Sequence, residues 1–142
     1  MTIDAEFADI VADVPPPTPT GLSMPFWRAA AEGRLIMQRC GDCRQFAAYP
    51  RSVCPHCWST HRTWEEVAGR GEVQTFTTVH RAGNAGWQAV TPYVVGLIRL
   101  DEGPVLLTQF HDDAGALHEG AQCEVVFTRV GAWTLPFFRR TT

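Results

Sequence analysis

Apolar and polar positions divide the chain into a helical start and a strand-rich remainder. In residues 23–34 the apolar side chains recur with helical spacing, which predicts a short amphipathic helix. Ser23 suits the N-cap of this helix, Pro25 suits its first turn, and Gly33 can end it. A strand is then expected to begin at residue 35 and lead to the first cysteine pair. The apolar face of the helix consists of Phe26, Trp27, Ala30 and Ala31.

From residue 70 onward, short apolar runs alternate with turn residues. The first run alternates strictly and is rich in β-branched side chains, which is typical of a strand. The segment 81–92 contains glycines and predicts a loop. Short strands joined by hairpin turns favour a small antiparallel barrel, for which the OB-fold is the five-stranded choice. The predicted strands span residues 71–80, 93–100, 105–110, 122–129 and 134–139.

Residues 1–21 predict an arm outside the barrel. The arm ends in a proline-rich run at 15–19, which favours an extended conformation and cannot join a packed helix. One interpretation is a tail outside the core, and the other is a strap that docks on a partner. Apolar residues with the spacing of one or two helical turns lie in this arm: Phe7, Ile10, Val11 and Val14.

Composition narrows the class of protein. The 142 residues, 45% of them apolar, fit one compact domain or two small modules. A net charge of −3 gives no sign of the basic stripe typical of nucleic-acid binders. No apolar run approaches the ~20 residues that span a bilayer, and the acidic start does not resemble a signal peptide. We therefore expect a cytoplasmic protein, in which cysteine pairs indicate metal or redox sites before disulfides.

Four cysteines form the most specific motif. They are arranged as Cys40-x2-Cys43, ten residues, then Cys54-x2-Cys57. Two such knuckles joined by a short hairpin complete a tetrahedral shell, which leaves no position for a catalytic water. The hairpin is expected to include residues 49–51 in its outgoing part. The spacing therefore predicts a structural zinc ion, with iron in a rubredoxin-like site as the alternative. A redox pair is disfavoured because no βαβ context surrounds it.

The order of helix, ribbon and barrel, together with several short phrases, resembles the DUF35 family of zinc-ribbon plus OB-fold proteins, often called acyl-CoA-associated OB-fold proteins. One departure is the longer glycine-rich loop at 81–89. The phrases cover most of the chain: Phe26-Trp27, Gly33-Arg34-Leu35, Tyr49-Pro50-Arg51, Cys54-Pro55-His56-Cys57, Gly69-Arg70-Gly71-Glu72-Val73 with Phe76-Thr77, Pro92-Tyr93-Val94-Val95, Leu100-Asp101-Glu102-Gly103 and Leu135-Pro136-Phe137-Phe138-Arg139.

The resemblance implies a rubredoxin-like zinc ribbon packed on an OB-fold. With the pattern above, it predicts an arm at 1–21, a helix plus ribbon at 22–66 and the barrel at 67–142. It also implies a non-catalytic accessory subunit that binds a thiolase-superfamily enzyme or a MaoC-like hydratase and helps it act on acyl-CoA. The alternative, from architecture alone, is a module that binds single-stranded nucleic acid, which the negative net charge disfavours.

No catalytic residue is predicted. Cys123 lies within a predicted strand and is interpreted as a buried, apolar thiol. A free-standing enzyme is therefore the least favoured class. The histidines apart from His56 are scattered and lack a patterned nucleophile or orienting partner; they are His61, His80, His111 and His118.

Tryptophans and arginines supply the candidate contact residues. Trp27, Trp58 and Trp64 are interpreted as packing residues, whereas Trp87 and Trp133 lie in glycine-containing turns and are candidate exposed anchors. The arginines near the ribbon form either a solvated shell or a rim that attracts phosphates; they are Arg34, Arg39, Arg44, Arg51 and Arg62. The expected contacts to CoA or to a partner are Arg39, Arg44, Arg51, His56 and Trp87.

Overall fold

A computed structural model of the chain describes residues 14–141, so the helical turns predicted upstream of Val14 lie outside the described residues. The longest helix in this range has 8 residues, and none is long and apolar enough to cross a membrane. The elements in chain order are α1 Met24–Ala31, β1 Ile36–Cys40, β2 Phe46–Ala47, β3 Arg62–Glu66, β4 Arg70–Val79, α2 Ala85–Gln88, β5 Tyr93–Leu100, β6 Val105–Phe110, a 3-10 turn Ala114–Ala116, β7 Gln122–Val130 and β8 Trp133–Arg140.

Helix α1 forms where the apolar spacing predicts it, and it ends before Gly33, which has φ 76°. Ser23 occupies the N-cap position, but its hydroxyl makes no capping bond to the helix. Instead Ser23 Oγ accepts from the backbone N–H of Thr20 at 2.9 Å. Ser23 therefore occupies the predicted N-cap position, but its hydroxyl bonds the preceding turn instead of the first turn of the helix.

The ribbon is a three-stranded antiparallel sheet in the order β2-β1-β3. Strand β3 was not predicted, because only Trp64 among its residues is apolar, and its pairing with β1 defines it. Residues 49–51 form no strand and follow the two-residue strand β2 as irregular chain. The backbone N–H of Arg51 donates to Gln38 Oε1 at 2.8 Å, so a buried side chain of β1 holds this segment.

Strands β4 to β8 close into a barrel in the order β4-β5-β6-β8-β7. The pairs are antiparallel except β6 with β8, which meet in parallel at Phe110 and Phe138, and β4 pairs with β7 to complete the ring. These are the five strands predicted from the sequence, each within two residues at either end, and the OB-fold is confirmed. The predicted loop after β4 contains the single-turn helix α2, where Asn84 Oδ1 accepts from the Trp87 N–H.

One apolar core extends from the helix through the ribbon into the barrel. Its side chains are nearly inaccessible to solvent, so the first ribbon strand is fixed on the barrel by packing rather than by a flexible linker. The boundary predicted between residues 66 and 67 falls between β3 and β4 and stays a prediction. The core includes Ala30, Leu35, Met37, Ile98, Leu100, Phe127 and Phe138.

Candidate metal centre

The four cysteines converge at the tip of the ribbon. Their Sγ atoms all lie within 4.8 Å of one another. Cys40 Sγ is 3.6 Å from Cys57 Sγ, and Cys43 Sγ is 3.7 Å from Cys54 Sγ. A regular tetrahedron with metal–sulfur bonds of ~2.3 Å has edges of ~3.8 Å, whereas a disulfide bond measures ~2.05 Å. The arrangement therefore fits a tetrahedral thiolate-bound metal ion and not a pair of disulfides.

Backbone N–H groups point at the two buried sulfurs. Cys40 Sγ accepts from the N–H of Cys43 and of Asp42, and Cys54 Sγ accepts from the N–H of His56, each at 3.4 Å. The Cys43 N–H is the main cause that lowers the pKa of Cys40 to about 6. Burial raises the pKa of the Cys54 thiol, but the N–H groups of His56 and Cys57 lower it by more, so the pKa lies below its usual value.

Cys43 responds in the opposite direction. A neighbouring N–H lowers its pKa, but burial and bonds to the three other thiols raise it to about 12. The N–H donors at Cys40 and Cys54 belong to the backbone and stay in place whatever the thiols bind, so they favour the thiolate form of these two sulfurs. The site is thus built to hold thiolates, which is the state that binds a metal ion.

Each knuckle ends in a residue with left-handed backbone. Arg44 has φ 66° and Trp58 has φ 68°, and their N–H groups donate to the carbonyls of Cys40 at 3.1 Å and Cys54 at 3.0 Å. Trp58 is 83% exposed, so its interpretation as a packing residue was wrong. The tight turn directs its side chain away from the sheet. Its position directly after the last cysteine, where such a turn ends, is the sequence signal that could have identified it.

Asp42, Ser59 and His61 connect the two knuckles. Asp42 Oδ2 accepts from Ser59 Oγ and lies 3.1 Å from His61 Nδ1. The Ser59 bond and then the His61 bond lower the pKa of Asp42. Serine and histidine both face the carboxylate rather than each other, so the three side chains lack the relay of a hydrolase triad. They link the two metal-binding turns by side-chain hydrogen bonds, which no spacing in the sequence indicated.

Four of the five predicted contact residues line one cavity of about 770 Å³ beside the ribbon: Arg39, Arg44, Arg51 and His56. The guanidinium of Arg39 is already engaged, since it pairs with Glu65 at 3.1 Å and lies over the ring of Phe46. Within residues 14–141, neither Arg44 nor Arg51 makes an ion pair. Three carboxylates also line this cavity, so its positive charge is partly offset: Glu65, Glu66 and Glu102.

The fifth predicted contact, Trp87, lies elsewhere. It is half-buried and packs on Tyr93 at 5.4 Å between ring centroids, while Trp133 packs on Trp27 at 5.7 Å. Both were expected to be exposed, and both instead pack on other aromatic rings. Cys123 is 1% exposed, and its predicted burial is confirmed. Burial, followed by the charge of Asp112, raises its pKa to about 11, so it is an inert thiol at neutral pH.

Comparison with known proteins identifies the same ribbon and barrel domains. Residues 27–62 match the model of the ChsH2 rubredoxin-like zinc ribbon domain, and residues 64–128 match that of the ChsH2 C-terminal OB-fold domain. Among solved structures, a chain of "Ltp2-ChsH2(DUF35) aldolase" superposes with a TM-score of 0.80 at 29% identity, covering 89% of this chain and 100% of that chain. A DUF35 protein of unknown function from Sulfolobus solfataricus shares the fold, with a TM-score of 0.62 at 16% identity over 84% and 85% of the two chains.

Curated relatives include a DUF35 domain-containing scaffold protein of Pyrococcus furiosus, 33% identical over 108 residues, or 74% of this chain and 77% of that protein. The scaffold protein of Methanocaldococcus jannaschii is also 33% identical, over 73% and 75%. A probable enoyl-CoA hydratase alpha subunit of Thermomonospora curvata is 38% identical over 84 residues, 58% of this chain and only 26% of that protein. With its ribbon, its barrel and the two scaffold proteins matched over about three quarters of their length, the chain belongs to the DUF35 family.

Proposed function

We propose that this chain is a non-catalytic accessory subunit that binds a thiolase-superfamily enzyme, or a MaoC-like hydratase, and helps it act on acyl-CoA. The observation that carries the proposal is the superposition on a chain of the structure titled "Ltp2-ChsH2(DUF35) aldolase". This chain matches that chain over 100% of its length. Relatives named scaffold proteins and a hydratase subunit support an enzyme partner. The partner supplies the catalytic groups.

The metal in this proposal is a structural zinc ion held by Cys40, Cys43, Cys54 and Cys57. Four sulfur ligands complete a tetrahedral shell, so the ion supplies folding free energy and offers no open position to a substrate. The ribbon needs that contribution, because its β2 has only two residues and its sheet has three strands. The consequence is a rigid knuckle tip that presents Trp58 and the arginine-lined cavity in one fixed orientation.

Trp58 is the residue we assign as the partner anchor. A left-handed backbone costs a residue other than glycine roughly 1–2 kcal/mol, and strain of this kind concentrates at functional sites. The side chain is 83% exposed, so its whole ring face is available to a partner. Buried tryptophans are among the commonest energetic anchors of protein interfaces.

The cavity beside the ribbon is the surface we assign to CoA. Arg44 and Arg51 are its unpaired guanidinium groups within the described range, and His56 lies at its edge with Nε2 3.4 Å from the Phe46 carbonyl. Guanidinium groups bind phosphate oxygens through paired hydrogen bonds. Trp87 lies on the apolar side of the barrel, outside this cavity, so it is not part of the surface assigned to CoA.

Co-expression tests the proposal. A tagged chain is produced together with a thiolase-superfamily protein, or a MaoC-like protein, of the same organism, and the complex is isolated through the tag. We expect one of the two enzymes to be retained through gel filtration. A chain that elutes alone with both candidates contradicts the accessory role.

Variants then separate the two assigned surfaces. Trp58→Gly relieves the left-handed strain, so the chain should be at least as stable as wild type while its affinity for the partner falls about 30-fold, the loss expected of an interface hot spot. Arg44→Glu with Arg51→Glu should leave the complex assembled and raise its KM for acyl-CoA. Unchanged affinity in Trp58→Gly, or an unchanged KM in the double variant, rejects that surface and leaves the accessory role standing.

A further inference from the structure

An apolar groove of about 430 Å³ lies on the outside of the barrel. Helix α1 forms one wall, the irregular segment after β2 forms another, and strands β6 and β8 form the floor. Leu107 in the groove is 61% exposed and Tyr49 at its edge is 49% exposed. Contiguous apolar surface of this kind is normally covered in a folded protein. The residues that matter for its occupancy are Trp27, Tyr49, Trp87, Leu107 and Leu135.

The described chain starts at the margin of this groove. Val14, its first described residue, is only 8% exposed and packs in a small cluster with Val130 and Phe137. Trp87 and Leu135 pack against the same cluster, and both also line the groove. Val14, the first described residue, is therefore anchored on the barrel at the margin of the groove.

The arm carries a matching apolar face. Phe7, Ile10 and Val11 precede Val14 by seven, four and three residues, so a helix would place all of them on the side that Val14 presents to the barrel. The residues between them are acidic or small, including Asp9 and Asp13, and would lie on the opposite side. From residue 7 to residue 14 such a helix is ~10 Å long, about two turns.

We propose that residues 7–14 dock in cis as an amphipathic helix whose apolar face covers this groove. The proposal requires no partner and goes beyond the accessory role. Docking buries the side chains of Phe7, Ile10 and Val11 against the apolar lining while the acidic face stays in water. The proline run at 15–19 then returns the chain from the groove margin to the start of α1.

The test uses the full-length chain without any partner. Ile10→Glu places a carboxylate on the docking face, and Ala12→Glu places the same group on the opposite face as the matched control. We expect Ile10→Glu to increase the fluorescence of an apolar-surface dye and to lower Tm by about 3–5 °C, with Ala12→Glu close to wild type. No difference between the two variants overturns the proposal.

A second measurement identifies where the arm docks. Ile10→Ala and Leu135→Ala are combined in a double-mutant cycle, with light scattering to record the molecular mass. If the arm contacts the groove, the Tm of the double variant should fall by less than the sum of the two single-variant shifts, and the protein should be a monomer. Additive shifts place the arm elsewhere and overturn the proposal. A dimer of the wild type that dissociates in Leu135→Ala assigns the groove to a second copy, which also overturns it.

Discussion

Replacement of one cysteine ligand offers the most direct test of the metal centre. Cys57 is the exposed member of the four, so Cys57→Ser removes a ligand with little effect on the core. Structural zinc sites of this type bind with roughly 10–16 kcal/mol. The four sulfurs lie within 4.8 Å of one another as one ligand set. An equal share is about 2.5–4 kcal/mol per thiolate, or about 100- to 1,000-fold in affinity.

The assay measures metal content by mass spectrometry of the purified chains and affinity by competition with a chromophoric chelator. We expect one zinc per chain in the wild type, and in Cys57→Ser loss of zinc to the chelator with a melted ribbon and a residual barrel. Cys123→Ser is the matched control: this thiol lies in strand β7, outside the cluster, so the variant should keep its zinc.

Three results refute the reasoning. Full zinc retention in Cys57→Ser shows that four thiolates are not required. Loss of zinc from Cys123→Ser shows that the ligand set is wrong. Iron in place of zinc, visible as the strong colour of a thiolate-bound ferric ion, keeps the geometry and rejects the metal assignment, since tetrahedral sulfur suits both ions.

Three further predictions concern the barrel. In Gly96→Ala the new Cβ would lie 2.8 Å from the Phe76 Cα and nearer still to a β4 carbonyl, so Tm should fall by roughly 12 °C, about 3 kcal/mol, whereas Gly83→Ala, with open space around it, should not lower Tm. Tyr49→Phe should lower stability by about 1 kcal/mol in denaturant unfolding, because its hydroxyl accepts the Leu107 N–H at 3.1 Å. Cys123, with its pKa raised to about 11, should resist a disulfide reagent at pH 8 and react only above pH 10 or after unfolding; prompt labelling at Cys123 in the folded chain, located by peptide mass spectrometry, contradicts its burial.

Local patterns in the sequence were sufficient for the elements and for the ligand set. The barrel strands alternate and are separated by turn residues, so their bounds could be predicted to within two residues. The two C-x-x-C knuckles encode their own turns, and the four sulfurs meet as the spacing indicates. Strand β3 escaped prediction because it carries one apolar residue and exists through its pairing with β1.

Other features depend on residues that are distant in sequence. Trp58 lies next to a cysteine ligand and was expected to pack, yet the left-handed turn that closes the knuckle exposes it. The hydrogen bond between Asp42 and Ser59 joins side chains 17 residues apart, and no periodic pattern in the sequence predicts such a pair. The arginine cavity was anticipated as a cluster, but the carboxylates that offset its charge come from β3 and from the β5–β6 turn.

The sequence by itself determined the family, the order of helix, ribbon and barrel, and the four thiolates, because these follow from short-range spacing and backbone preference. Only the tertiary structure decided which surfaces are open. Exposure of Trp58, the packing of Trp87 on Tyr93 and the groove beside Val14 all result from how separate elements pack on one another. Packing is a property of the closed barrel and its attached ribbon, and no single segment of the chain contains it.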